Sequence, residues 1–269
     1  LGLAECIYKE KEGSERMKNK NVPSEVDSAW YERSFDAQYR LLYAHRTVEA
    51  AKREAVFAAR LLELRPDDRV LDLCCGNGRH MTHLSKISRN LVGLDYSTAL
   101  LSDARGLLGG EAALVRGDMR RLPFDGAFDV LTNFFTSFGY FREEAENAEV
   151  MVQASRALKS GGRFFIDHIN AEYARKTLVP NSERELDGKR VEERRWVDEG
   201  ARRVNKVTKL WDGDELLGEW GESVRLYEPE EFLEILARGR LMALRMFGDY
   251  DGAPRGADKP RMIVTGCKE

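Results

Sequence analysis

The run Val70-Leu-Asp-Leu-Cys-Cys75 is almost wholly apolar and stops at Gly76-Asn77-Gly78. A continuous apolar stretch of this length that ends at glycine reads as a strand buried on both faces, the habit of a parallel sheet rather than of a solvated hairpin. The strand spans Arg69–Cys75, and a helix follows from about Arg79. The alternation then repeats. "NLVGLD" is a strand, "STALLSDARGLL" a helix opened by a Ser or Thr cap, and "AALVRGD" and "AFDVLTNFF" are strands. "EEAENAEVMVQASRALK" is a helix closed by the glycines of "SGG", and "GRFFIDHIN" is a fifth strand. Strands alternating with helices of roughly 10–17 residues build βαβ units, so the fold class is α/β with a doubly wound, mostly parallel sheet.

The flanks complete the layout. Residues 1–24 are charged, weakly patterned and read as a flexible segment, with the main domain at 25–269. Ser28–Leu64 reads as helical, with Val48, Ala51, Ala55, Val56, Ala59 and Leu62 on one face, until "RPDD" breaks it. Between 171 and 227 the character changes. "KRVEERRWVD", "RRVNKVTKLWD" and "ELLGEWGESVRLY" are separated by turn-formers, which predicts a three-stranded antiparallel β meander inserted as a lid or substrate subdomain. "EPEEFLEILARGR" returns as a helix, and "MALRMFGD" and "PRMIVTGC" as closing strands.

Composition narrows the function classes. Lys+Arg 43 against Asp+Glu 46 leaves a net charge of −3, which points away from nucleic acid and anionic lipid as partners. No apolar run approaches the ~20 residues that cross a bilayer. The segment "LGLAECIYKEKEGSERMKNK" lacks the apolar core of a signal peptide. Leu1 is not an ordinary start residue, and Met17 is read as a start position, with residues 1–16 as an appended or processed segment. Cys6, Cys74, Cys75 and Cys267 are too sparse for a disulfide framework and fit a reducing compartment, so a cytoplasmic location is expected.

What is the glycine loop for? Zinc and thioredoxin-like sites need C-x-x-C spacing so that both sulfurs converge; Cys74 and Cys75 are adjacent, and two thiols packing a strand end is the better reading. No metal site is expected. A dinucleotide fingerprint needs G-x-G-x-x-G, and here Gly76 and Gly78 are followed by Arg79, His80 and Met81. The P-loop lysine is missing too. What remains is a strand-to-helix turn where backbone approaches a ligand closely. Asp95 ends the next strand, where a carboxylate can accept hydrogen bonds from both hydroxyls of a ribose. Asp118 and Met119 end the third strand at the same edge, suited to the amino group and ring edge of an adenine.

"VLDLCCGNGRH", "LVGLDYS", "RGDMRRLPF", "FDVLTNFFTSFGYF" and "ALKSGGRFFID", in that order, resemble class I S-adenosylmethionine-dependent methyltransferases. The similarity runs from about Trp30 to Lys268, and within that family it is nearest to bacterial small-molecule enzymes carrying CCGxGRH and SFGYF motifs. It implies a seven-stranded Rossmann-like sheet with an antiparallel last strand, S-adenosyl-L-methionine as cofactor and S-adenosyl-L-homocysteine as product. Asp72, Gly76 and Gly78 would form the first motif around the methionine moiety, with Asn77 standing where Thr or Ser is frequent. Tyr96 would stack on the adenine, and Asn133 and Phe134 would wall the sulfonium. Tyr31 and Tyr39 would close over the cofactor, and Arg46 would hold its carboxylate through a bidentate contact.

The acceptor is expected to be a small molecule methylated on N or O. His168, at the carboxyl end of the fifth strand, is the candidate general base, and Tyr140 a second group that orients or deprotonates substrate. Asn133, Asp167 and Asn170 are the residues a catechol-type metal site would need, a reading set aside in favour of metal-free transfer. The Asp/Asn-Pro-Pro-Tyr/Phe segment of many adenine and glutamine methyltransferases is absent. Two alternatives stay open: an RNA or protein methyltransferase, and a non-catalytic cofactor-binding or scaffold protein on the same fold. A homodimer through the inserted meander is a further expectation.

Overall fold

The computed structural model describes residues 26–35, 41–43 and 45–269. Tyr39, Cys6 and the expected flexible segment 1–24 lie outside the described residues. The described residues build one seven-stranded sheet and one four-stranded sheet. The first contains β1 (Arg69–Leu73), β2 (Asn90–Asp95), β3 (Ala112–Arg116), β4 (Phe128–Asn133), β5 (Leu158–Ile169), β10 (Leu241–Phe247) and β11 (Arg261–Lys268). The second contains β6 (Asn181–Leu186), β7 (Lys189–Asp198), β8 (Arg203–Asp212) and β9 (Glu215–Arg225).

The large sheet has the order β10-β11-β5-β4-β1-β2-β3. β1 pairs in parallel with both β2 and β4, and the order reverses at β1, which places a ligand crevice at its carboxyl end. β11 runs antiparallel between β5 and β10. Side chains alternate across the sheet as the period of two requires. Leu71, Leu73 and Leu131 face one core with α5 (Glu144–Ala157) and α7 (Pro229–Arg238). Val70, Val130 and Phe165 face the other with α2 (Val48–Leu61) and α4 (Thr98–Leu108).

Caps set the helix starts. Thr47 is extended, its side chain accepts the Ala50 N–H at 3.2 Å, and it opens α2, so the expected Ser28–Leu64 helix is not continuous; upstream of Thr47, α1 (Trp30–Arg33) is a separate four-residue helix. Ser97 opens α4, and Gly109 closes it in the left-handed conformation. The helix expected from Arg79 is only the short α3 (Met81–Leu84). The expected helix through Lys159 instead stops at Ala157, because Leu158 is already strand. Its partner is Phe128 and that of Val130 is Arg163, so residues 159–162 bulge out of the ladder with Gly161 at φ 71°.

The inserted meander has four strands rather than the expected three. Residues 181–186 pair with β7, a strand hidden from sequence reading by its Glu and Arg content. α6 (Ala171–Thr177) leads into it, and Ile169, Ala174, Val204, Val224 and Leu226 seal it to the main sheet. Leu42 and Tyr43 pack on one face of the insert with Val191, Leu210 and Trp220. Val26 and Trp30 pack on the opposite face with Val207.

Gly93 makes the close packing beneath β1 possible. A Cβ there would lie 2.7 Å from Cys75 Sγ and 2.7 Å from Met81 Sδ. Gly93→Ala is expected to destabilise the fold by about 1–3 kcal/mol through overpacking, measured by urea unfolding; an unchanged midpoint would refute this packing.

Candidate active site

The carboxyl ends of β1, β2 and β3 and the loop after β4 enclose a cavity of about 250 Å³. Its floor is the loop after β1. Gly76 has φ 56° and only Leu100, at 4.0 Å, near its missing Cβ, so glycine serves the turn and keeps the backbone low beneath the cavity. One carboxylate pins this loop: Asp95 Oδ2 accepts the Gly76 N–H at 2.8 Å, and Oδ1 accepts the Ser97 N–H at 2.8 Å. An ionised carboxylate has about four acceptor positions, so hydroxyl groups can still be taken. Burial pushes Asp95 above the ordinary carboxylate range.

Asp72 is 2% exposed. Its Oδ1 accepts the Thr132 hydroxyl at 2.8 Å, while its Oδ2, also buried, has no hydrogen-bond partner among the described residues. Burial, helped by the Asp95 charge, pushes Asp72 up to about 7. An unsatisfied buried oxygen of this kind is costly, and a cationic donor in the cavity would offset the cost.

At the β3 end, Asp118 and Met119 line the cavity. Arg120 grips Asp118 with Nε at 3.1 Å from Oδ1 and Nη2 at 2.6 Å from Oδ2, and reaches Glu146 at 2.5 Å. Burial alone would raise Asp118, but Arg120 outweighs it and holds the carboxyl below its usual range. The guanidinium lies 4.3 Å above the Phe141 ring. Sequence reading missed Arg120.

The opposite wall is the loop after β4. Phe134 stacks on His80 at 4.1 Å and 6°, and His80 Nε2 is 2.5 Å from Glu54. Burial and Arg79 hold His80 down at about 4, so a neutral imidazole donates to Glu54 and serves as a prop for the ring. Phe135 and Thr136 both take left-handed φ values, 61° and 62°, a strain of about 1–2 kcal/mol each. Asp167 holds them there. Its Oδ2 accepts the Phe135 N–H at 2.8 Å, its carbonyl accepts the Thr136 N–H at 2.8 Å, and its Oδ1 is 2.7 Å from Arg261. Guanidinium groups of Arg46 and Arg79 lie 5.0 and 4.8 Å from the Phe135 ring, and Arg79 is also 3.5 Å from the Glu54 carboxylate.

The insert is tied to the same cavity through Tyr43. Tyr43 lines it, donates its hydroxyl to Glu222 at 2.6 Å and accepts from Lys206. Lys206 is 0% exposed and 2.6 Å from Glu222. This buried trio was invisible beforehand, because Lys206 and Glu222 are opposed only by the β8–β9 register.

The structure brings most of the expected residues to the cavity wall. Asp72, Gly76 and Asn77 lie at the loop, Asp95 and Tyr96 beside them, and Asp118 and Met119 beyond. Tyr31 and Arg46 come from the N-terminal segment, and Phe134 and Tyr140 from the far wall. Three expected residues are elsewhere. Gly78, at φ 79°, packs against α4, where a Cβ would meet Ala104 at 3.2 Å. Asn133 turns its amide to the Leu73 carbonyl at 2.8 Å. His168 is a correction to the expected general base: strand alternation sends it to the side of β5 opposite Asp167. It is buried among Phe138, Tyr227 and Phe232, its Nε2–H donates to the Arg225 carbonyl at 3.0 Å, and burial drives it down to about 3. The residues weighed for a metal site do not converge either, since Asp167 pairs with Arg261 and Asn170 donates to the Gly256 and Lys259 carbonyls.

Residues 70–162 match a family model described as a methyltransferase domain. Among curated proteins, the dTDP-3-amino-3,4,6-trideoxy-alpha-D-glucopyranose N,N-dimethyltransferase of Streptomyces venezuelae is 30% identical over 125 residues, 46% of this chain and 52% of that protein. The demethylmenaquinone methyltransferase of Beutenbergia cavernae is 34% identical over 106 residues, 39% of this chain and 42% of that protein. The chain thus spans about half the length of the curated relatives it matches. Among solved structures, the CcbJ methyltransferase from Streptomyces caelestis aligns with a TM-score of 0.74 at 17% identity, covering 91% of this chain and 100% of that one. The sugar N-methyltransferase KedS8 from a Streptoalloteichus species aligns at 0.68 and 22% identity, covering 96% and 100%. The fold is therefore the one that these methyltransferase structures share.

Proposed function

We propose that the chain binds S-adenosyl-L-methionine in this cavity and catalyses methyl transfer to nitrogen or oxygen of a small molecule, with S-adenosyl-L-homocysteine as product. The observation that carries the reading is the unpartnered, buried Oδ2 of Asp72 above a glycine loop, in line with Asp95 and Asp118 at successive strand ends. Those residues fit the group. Asp72 would accept the ammonium, Arg46 and Arg79 would face the carboxylate, Asp95 would take the ribose hydroxyls and Asp118 the adenine amino group. When bound, the sulfonium supplies a methyl group already activated for in-line displacement. The chain's own work is alignment and exclusion of water, with Tyr31 and Phe134 as apolar walls.

An amine is the acceptor this site suits best. A hydroxyl gains about 10²–10⁴-fold from a general base, and His168 does not reach the cavity. A neutral amine needs no base to attack. The amino-sugar enzymes among the relatives support the same choice. Incubating the protein with S-adenosylmethionine and a panel of small amines and alcohols tests it. Amine-dependent formation of S-adenosylhomocysteine is expected; turnover with alcohols and not with amines would reverse the assignment.

Asp72 also predicts a pH dependence. An ammonium binds the ionised carboxylate, and Asp72 protonates as pH falls through about 7. Cofactor affinity should therefore fall between pH 7 and pH 5, by up to about tenfold per unit. Calorimetry across that range should show the loss, and Asp72→Asn should flatten the part due to this residue; an equal slope in the variant would contradict the assignment.

A further inference from the structure

A second cavity, of about 240 Å³, lies on the other face of the inserted sheet. Tyr140 lines both cavities. Trp30, Asp198, Arg203, Asn205 and Ser223 also line the second one. Arg203, Asn205 and Ser223 are all more than nine-tenths buried, on a sheet face that packing alone would fill with apolar residues. The Trp30 indole N–H is buried and has no acceptor among the described residues. Its ring lies 4.7 Å from that of Tyr140.

Arg203 explains how the floor of this cavity is kept rigid. Its guanidinium donates to the carbonyls of Gly139, Tyr140, Phe141 and Ser223 at 2.8–3.1 Å, and Nε donates to the Ser223 hydroxyl at 2.8 Å. The loop that carries Tyr140 is thereby fixed to the inserted sheet. An aromatic wall, an unpaired N–H donor, an amide, a hydroxyl and a carboxylate form a surface for a ring bearing several hydroxyl groups. They do not form a surface for an apolar quinone, whose burial would strand those polar groups.

Resting on the methyltransferase reading, the geometry points to this cavity as the acceptor subsite, holding the hydroxylated ring of an amino sugar and presenting its amine past Tyr140. The amine nitrogen would form the new N–C bond with its lone pair as the C–S bond breaks toward sulfur, and its proton would leave to water.

Ligand-observed NMR and calorimetry with D-glucosamine, with menadione as the apolar comparator, test the subsite by binding alone. Both are run with and without S-adenosylhomocysteine, so cofactor and acceptor sites are read separately. Glucosamine is expected to bind and menadione not. Trp30→Phe, which keeps the aromatic wall and deletes the N–H, and Ser223→Ala should each weaken glucosamine about three- to tenfold while leaving S-adenosylhomocysteine affinity within about twofold. Asn205→Leu should weaken it at least about tenfold. Absence of glucosamine binding to the folded wild type, or binding that all three variants leave unchanged, overturns the subsite. Glucosamine binding without any S-adenosylhomocysteine binding keeps the sugar site and overturns the cofactor reading instead.

Discussion

Asp95→Ala should weaken binding of S-adenosylmethionine at least about a hundredfold. Two charge-assisted hydrogen bonds to ribose hydroxyls contribute on the order of 1.5–3 kcal/mol each, and about 3 kcal/mol already corresponds to that factor. The substitution has a second effect in the same direction. Asp95 is the acceptor for the N–H groups of Gly76 and Ser97, so its loss releases the loop after β1 from the head of α4. Asp95→Asn separates the two effects, because it retains an acceptor oxygen for one N–H while removing the charge. It should bind more weakly than wild type and more tightly than the alanine variant. Equal affinities for wild type and Asp95→Ala, measured calorimetrically on folded protein, would remove Asp95 from the site.

Lys206→Met should cost about 3–5 kcal/mol of stability, the usual penalty for removing one partner of a buried ion pair. Lys206 has no exposed surface, and Glu222 would stay buried with the neutral Tyr43 hydroxyl against it in place of a cation. For a chain of this size the melting temperature should fall by on the order of 10 °C. Pairing the change with Glu222→Gln should recover much of the loss, since the uncompensated charge is then gone. A melting temperature within about 2 °C of wild type for Lys206→Met would show that Glu222 is solvated or neutral there. The trio also joins the insert to the cavity, because the Tyr43 ring that it fixes lies 4.4 Å from the Arg46 guanidinium.

The main sheet could be read in advance because its strands are short apolar runs ended by Gly or Asp, and such runs have few other stable forms. β2 was placed to the residue at Asn90–Asp95. The cavity residues on those strand ends were legible for the same reason: a strand's last residue has a position set by topology. Elements made strands by pairing rather than by their own apolar pattern were not legible. β6 carries Asn181, Glu183, Arg184 and Glu185, and only its pairing with β7 makes it a strand. His168 shows the limit at a single residue. Sequence placed it at the carboxyl end of β5, and strand geometry decides which face it takes. Asp167 faces the backbone of Phe135 in the loop after β4, and His168 faces the opposite core, where the Arg225 carbonyl satisfies one nitrogen. The Lys206–Tyr43–Glu222 trio joins residues far apart in the chain, and Arg120 bridges Asp118 to Glu146, 26 positions further on, so no local pattern announces either arrangement.

Calorimetric titration of the wild-type protein with S-adenosylmethionine near pH 7.5 tests the central claim most directly. One binding site with a dissociation constant on the order of micromolar is the predicted result. A folded, ligand-free protein that gives no saturable heat with either S-adenosylmethionine or S-adenosylhomocysteine, and no shift in melting temperature, would contradict it.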